Sequence, residues 1–131
     1  MCVFCQIIKN EISSCKVYED DKTLAFLDIN PVNPGHTLVI PKKHYENIEE
    51  ISEEDLAAVI ASVKKVGRLM KDKLGAAGYN VTLNNGAAAG QDVWHLHFHV
   101  IPRHEGDGHK TWARRKYSDG ETEMIIAKLI S

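Results

Sequence analysis

The stretch His95-Leu96-His97-Phe98-His99-Val100-Ile101 alternates histidine with apolar residues without a break. A period of two is the repeat of a β-strand and not of a helix. The alternation predicts a strand over Val93–Ile101 with His95, His97 and His99 on one face, neighbouring imidazoles standing roughly 7 Å apart. Trp94, Leu96, Phe98 and Val100 fall on the other face. A chain holding such a strand must build a sheet around it and cover its apolar side.

The rest of the sequence supplies both. Lys16–Glu19 and Thr23–Asp28 read as two strands joined by the polar turn Asp20-Asp21-Lys22. Asn30 to Gly35, with two prolines and a glycine, is loop material, and His36–Ile40 is a β-branched strand stopped by Pro41. The clearest helix starts at Ser52, a capping residue followed by Glu53, Glu54 and Asp55, where the helix dipole favours negative charge. Leu56, Val59, Ile60, Val63, Met70 and Leu74 make its apolar stripe, and Gly75 sits where a left-handed terminator belongs. Tyr79–Leu83 follows as a strand, and Asn84–Asp92 as a glycine- and alanine-rich turn. Phe4, Ile7 and Ile8 suggest a short first helix ending near Asn10. A last short helix holds Met124, Ile125 and Leu129, capped by Ser118 or Asp119. Antiparallel strands beside one long helix give an α+β fold, expected as a single domain over residues 1–131.

Bulk properties narrow the function. A formal net charge of -2 gives no global electrostatic reason to bind nucleic acid. No apolar run approaches the roughly 20 residues of a membrane span, and the first residues lack the layout of a signal peptide. Three cysteines, an odd number, argue against a disulfide framework and for a reducing cytoplasm.

Histidine suits phosphorus chemistry. Neutral imidazole can attack phosphorus, the phosphoramidate formed is labile, and a second histidine on the same face can protonate a departing group. Three of the seven histidines share one expected strand face. Spacing alone leaves metal binding and phosphoryl transfer both open. Cys2-x-x-Cys5 likewise has the spacing of metal ligands, though Cys5 also fits a small core beside Phe4 and Ile7.

The run from Gly90 to Arg103, GQDVWHLHFHVIPR, resembles the signature of the histidine triad (HIT) nucleotide hydrolases and transferases. Ala25–Ile29, Pro34–His44 and Leu83–Gly86 match as well, so the likeness spans most of the chain. It is closest to the small histidine triad nucleotide-binding branch of prokaryotes. The resemblance implies cleavage of purine nucleoside 5′-phosphoramidates or acyl-adenylates, with His97 carrying the nucleotide as a covalent intermediate. By the same likeness His99 bonds the phosphate and assists proton transfer, and His36 joins the triad network. Asp28 resembles the acid that holds the ribose hydroxyls, Phe26 and Ile29 wall the base, and Asn84 and Gln91 hold phosphate or leaving-group oxygens. Asp92 stands where better-known members have serine. A carboxylate there must offer only its backbone N–H, turn away from the phosphate, or hold a proton.

Some triad relatives bind zinc at positions equivalent to Cys2, Cys5, His44 and His95, which implies a closed, structural Cys₂His₂ site and a chemistry that requires no catalytic metal. The family also implies a homodimer joined through the long helix and a strand edge. Two other functions fit the same residues: cleavage of dinucleoside polyphosphates, towards which Pro102-Arg103 leans, and nucleotide sensing with incidental turnover. Arg103-His104 and Lys110–Lys116 read as a solvated basic segment, and Trp112 within it fits either a pocket cover or a dimer contact.

Overall fold

The computed structural model describes residues 2–131. Helix α1 (Val3–Ile8) precedes strands β1 (Lys16–Glu19), β2 (Thr23–Leu27) and β3 (Thr37–Pro41). Helix α2 (Glu53–Leu74), strand β4 (Gly78–Leu83), strand β5 (Phe98–Arg103) and helix α3 (Glu121–Ile130) follow. The strands form one antiparallel sheet in the order β1-β2-β3-β5-β4. This is the α+β arrangement expected from the sequence, and no described helix is long and apolar enough to cross a membrane.

The sheet separates two apolar layers. Ala25, Val39, Leu96, Phe98 and Val100 pack against Val59, Val63, Val66 and Met70 of α2. On the opposite side Phe4 and Ile7 of α1 cover Leu24, Phe26, Leu38 and Ile40. Each layer removes apolar surface from water at about 25 cal/mol per Å², which holds α1 and α2 to opposite faces. The histidines occupy the α1 side.

Helix α2 begins and ends as its residues dictate. The Ser52 hydroxyl accepts from Asp55 N–H at 3.1 Å. Gly75 adopts φ 66°, and Ala76 N–H turns back to Met70 O at 3.1 Å. The buried stripe differs from the expected one. Ile60 and Leu74 are exposed, whereas Val66 and Gly67 are buried. Gly67 faces Tyr79 of β4, whose ring lies 2.4 Å from where a Cβ would stand. Tyr79 can approach the helix this closely only because that Cβ is missing.

Three expected elements are corrected. Strand β3 spans Thr37–Pro41 rather than His36–Ile40, and Pro41 does not stop it because it still pairs with Thr23 at the end of the β2 ladder. Strand β5 begins at Phe98, not Val93, because the preceding backbone is held by loops and side chains instead of a ladder: Leu96 N–H donates to Tyr45 O at 2.7 Å. Its far end runs on to Arg103 through pairing with Gly78 and Tyr79 of β4. Pro102 is tolerated there because β3 pairs β5 only from Phe98 to Val100, so no ladder donor is missed. Helix α3 is capped by Gly120 without a side-chain bond, not by Ser118 or Asp119. Instead the Glu121 carboxylate reaches back to Ser118 N–H at 3.0 Å. Met124, Ile126, Leu129 and Ile130 of α3 are exposed.

Candidate active site

Alternation survives although the ladder does not reach back to His95. Leu96, Phe98 and Val100 enter the α2 layer, while His97 and His99 turn to the other side with ring centroids 5.1 Å apart. Trp94 departs from the expected pattern, 45 % exposed and outside both apolar layers. Phe4 of α1 meets His97 edge-on at 5.2 Å and His95 at 5.9 Å between centroids. Nothing in the sequence pointed to this contact beyond the apolar character of α1.

Backbone groups assign the histidine protons. His97 Nδ1–H donates to His95 O at 2.8 Å, leaving Nε2 with its lone pair free. Val32 N–H donates to His36 Nδ1 at 3.1 Å, so neutral His36 carries its proton on Nε2. His36 Nε2 lies 2.9 Å from His99 Nδ1 and donates to it. His99 then carries its own proton on Nε2. The result is one free imidazole lone pair at His97 beside one imidazole donor at His99.

Burial keeps this relay neutral. His99 is lowered to about 4, first by desolvation and then by His97 and His36, against smaller opposing effects of Asp28 and Asp92. Burial also lowers His36, opposed by Asp28. Both rings hold the tautomers above at neutral pH.

The remaining expected residues are placed unevenly. Asp28 follows β2, with Oδ1 accepting from Asn30 N–H at 2.9 Å and Oδ2 3.7 Å from His36 Nε2. Phe26 is buried edge-to-face against Phe4, with centroids 5.4 Å apart, while Ile29 is 91 % exposed. Asn84 is half-buried just beyond β4, and Asp92 is exposed. Gln91, expected to hold phosphate or leaving-group oxygens, is hydrogen-bonded within the protein. Its Oε1 accepts from Gly86 N–H, and its Nε2 donates to Glu46 O at 2.6 Å and Val93 O at 3.1 Å. These bonds brace the loop between β4 and the histidines.

Cys2, Cys5, His44 and His95 converge within 4.8 Å. His95 Nε2 donates to Pro41 O at 2.8 Å, so its Nδ1 lone pair faces the cluster. That Nδ1 lies 3.6 Å from both Cys2 Sγ and Cys5 Sγ and 3.2 Å from His44 Nδ1, and Cys5 Sγ lies 3.4 Å from His44 Nδ1. Tetrahedral zinc with Zn–S about 2.3 Å and Zn–N about 2.0–2.1 Å sets N–N near about 3.3 Å and S–N near about 3.6 Å. The four donors fit that ion. Asp28, His36 and His99 also lie close enough to suggest a metal, but the tautomers argue otherwise. Val32 N–H occupies His36 Nδ1, so Nε2 bears a proton where a metal would need a lone pair.

A cavity of about 530 Å³ opens beside His36 and His99, between Asn80 and Thr82 of β4 and the segment carrying Lys110 and Trp112. An arginine hub pins that segment. Arg103 Nε and Nη2 bond both Asp107 oxygens at 2.8 and 3.1 Å, Nη1 bonds Asn80 Oδ1 at 2.8 Å, and Nη2 bonds His109 O at 2.8 Å. Asp107 also accepts from the N–H groups of His104 and His109 and from Asn33 Nδ2. These donors, the Arg103 guanidinium foremost, hold its carboxyl well below the usual range. The basic segment therefore starts as a fixed structure rather than a free loop. Asp107, four residues after Arg103, was a sequence signal for the hub; Asn33 was not.

Fold and site define a small antiparallel α+β protein that aligns a free imidazole lone pair with a relayed imidazole donor. The model of the HIT domain matches residues 9–106, and the chain belongs to that family. A HIT-like protein of Methanocaldococcus jannaschii is 58 % identical over 82 % of this chain and 83 % of its own length. The adenosine 5′-monophosphoramidase of Schizosaccharomyces pombe is 46 % identical over 78 % of this chain and 74 % of its own. An adenylylsulfatase of Arabidopsis thaliana is 45 % identical over 81 % of this chain and 54 % of its own. Among solved structures, a HIT family protein of Bacillus subtilis superposes with TM-score 0.88 at 42 % identity, covering 98 % of this chain and 94 % of that one. A zinc-bound histidine triad protein of Mycobacterium smegmatis gives TM-score 0.79 at 36 % identity, with the same coverage of both chains.

Proposed function

We propose that this protein hydrolyses purine nucleoside 5′-phosphoramidates and related adenylates by two displacements through a nucleotidyl-His97 intermediate. The observation that carries this reading is the free Nε2 of His97, fixed by the Nδ1 bond to His95 O. Its lone pair attacks the α-phosphorus, the P–N bond breaks, and the amine takes the electron pair and a proton from solvent water. Water then attacks the same phosphorus, the bond to His97 Nε2 breaks with its electron pair returning to the ring, and the proton of the water passes back to solvent. The His99 Nε2–H, oriented by His36, donates to a phosphoryl oxygen as charge builds on it.

The other residues serve binding. Asp28 accepts from the ribose hydroxyls, Phe26 and Ile29 flank the base, and Asn84 meets the phosphate side. Asp92 contributes its backbone N–H with its carboxylate turned to solvent, and Gln91 shapes the loop. Zinc held by Cys2, Cys5, His44 and His95 staples α1 to the residues before β5. With all four donors from the protein, the ion would have no position open to substrate and would serve the fold rather than the chemistry. The relatives named as a monophosphoramidase and an adenylylsulfatase support a hydrolase acting on adenylyl groups, and the zinc-bound neighbour supports the metal.

We further propose a homodimer joined through α2 and the free edge of β4, where Ile60, Tyr79 and Val81 are exposed, in a reducing cytoplasm that keeps the cysteines free. The deciding experiment is a single-turnover assay with adenosine 5′-phosphoramidate, comparing wild type and His97→Ala. Turnover lost with nucleotide affinity retained supports the reading. Equal turnover in both proteins removes His97 from its role.

A further inference from the structure

Resting on the hydrolase reading above, we infer that the cavity beside His99 receives the leaving group, and that Lys110 selects leaving groups that depart as anions. Position is the first argument. The lining includes His36 and His99 but not His97, and none of Phe26, Asp28 or Ile29. In-line displacement sends the leaving group away from the attacking atom. The compartment that touches the imidazole donor, and neither the nucleophile nor the nucleoside side, is the one open to it.

Charge is the second. The lining carries two cations, Arg103 and Lys110, and no carboxylate. Arg103 is neutralised by its bidentate pair with Asp107. Lys110 forms no salt bridge among the described residues, so its charge is the one free to meet an anion. Rigidity is the third. His109 is tied at both its N–H and its carbonyl to the Arg103–Asp107 hub, which places Lys110 one residue beyond a fixed point. A lysine held there loses less freedom on binding than one on a loose loop.

The chemistry of the two leaving classes differs. When adenosine 5′-phosphosulfate is attacked, the His97 Nε2–P bond forms, the P–O bond to sulfate breaks, and sulfate departs with the electron pair as a dianion that needs no proton. An amine departs only after gaining a proton and presents no negative charge to Lys110. A cation at this position therefore lowers the barrier for the first class more than for the second.

The test compares kcat/KM for adenosine 5′-phosphosulfate and adenosine 5′-phosphoramidate in wild type, Lys110→Ala, Lys110→Glu and Lys110→Arg. The ratio of phosphosulfate to phosphoramidate should fall about tenfold in Lys110→Ala, the size of one charge-assisted contact. It should fall further in Lys110→Glu and be kept in Lys110→Arg. Lys110 is exposed, so these variants fold. A ratio that stays put in Lys110→Glu leaves the hydrolase standing and removes Lys110 from selection. A wild type that cleaves neither substrate ends the hydrolase reading, and this inference with it.

Discussion

Replacing His36 by alanine cuts the relay at its base, and the structure sets the size of the effect. His99 Nδ1 loses its donor at 2.9 Å. The ring is then free to move its proton to Nδ1, which turns Nε2 from a donor into an acceptor. One preorganised donor to a phosphoryl oxygen is worth about 3 kcal/mol in the transition state, so kcat/KM on adenosine 5′-phosphoramidate should fall about 100-fold. Folding suffers separately. Val32 N–H loses its acceptor at 3.1 Å, which costs about 1–3 kcal/mol. Thermal melts then show whether the variant is folded at the assay temperature. The decisive comparison is a cycle with His99→Ala. If His36 acts only through His99, then His99→Ala alone and the double variant should have the same kcat/KM. Losses that multiply to about 10⁴-fold in the double variant would refute the relay.

Three further outcomes follow from the site. Purified protein should carry one zinc per chain, and chelation or Cys5→Ser should lower Tm by about 5 °C or more; metal-free protein from zinc-replete medium with an unaltered melt would count against the cluster as a zinc site. Asp92→Ser should leave kcat/KM within about twofold at neutral pH and low salt, because the exposed carboxylate is turned to solvent. A carboxylate about 4 Å from a phosphate is opposed by up to about 4 kcal/mol at an effective dielectric of 20, so a several-fold rise would show that it faces the phosphate instead. Acid should destabilise the fold through its buried histidines. His99 is lowered from 6.5 to about 4, first by burial, and burial lowers His36 as well. Between those values the unfolded chain binds protons that the folded chain does not, so stability should fall as pH drops from about 6.5 towards 4. Urea midpoints that stay level across this window would contradict the buried neutral rings.

Local signals carried much of this structure. Ser52, the acidic first turn and Gly75 bound α2 as the sequence indicates, because capping and the helix dipole act within a few residues. The sidedness of Leu96, Phe98 and Val100 against His97 and His99 was legible because alternation outlasts the loss of ladder bonds. The start of β5 was not. Leu96 is held by Tyr45 O and His95 by Pro41 O, partners some fifty residues away that no period reveals. The same holds for Gly67, buried because a tyrosine from β4 lies across it. The bonds of Gln91 to Gly86, Glu46 and Val93 were likewise invisible in the sequence, since they depend on how the loops fold together. The donors of the cysteine and histidine cluster come from three stretches of chain. The family likeness suggested the set, and the distances give it a shape.

The central claim is that His97 Nε2, left bare by the His95 carbonyl, takes the nucleotide covalently. Rapid acid-free quenching during turnover, followed by peptide mapping by mass spectrometry, tests it most directly. The account predicts an adenylyl group on the peptide bearing His97, appearing before product and vanishing as product forms. Hydrolysis at the wild-type rate in His97→Ala, or an adduct located on another histidine, would contradict it.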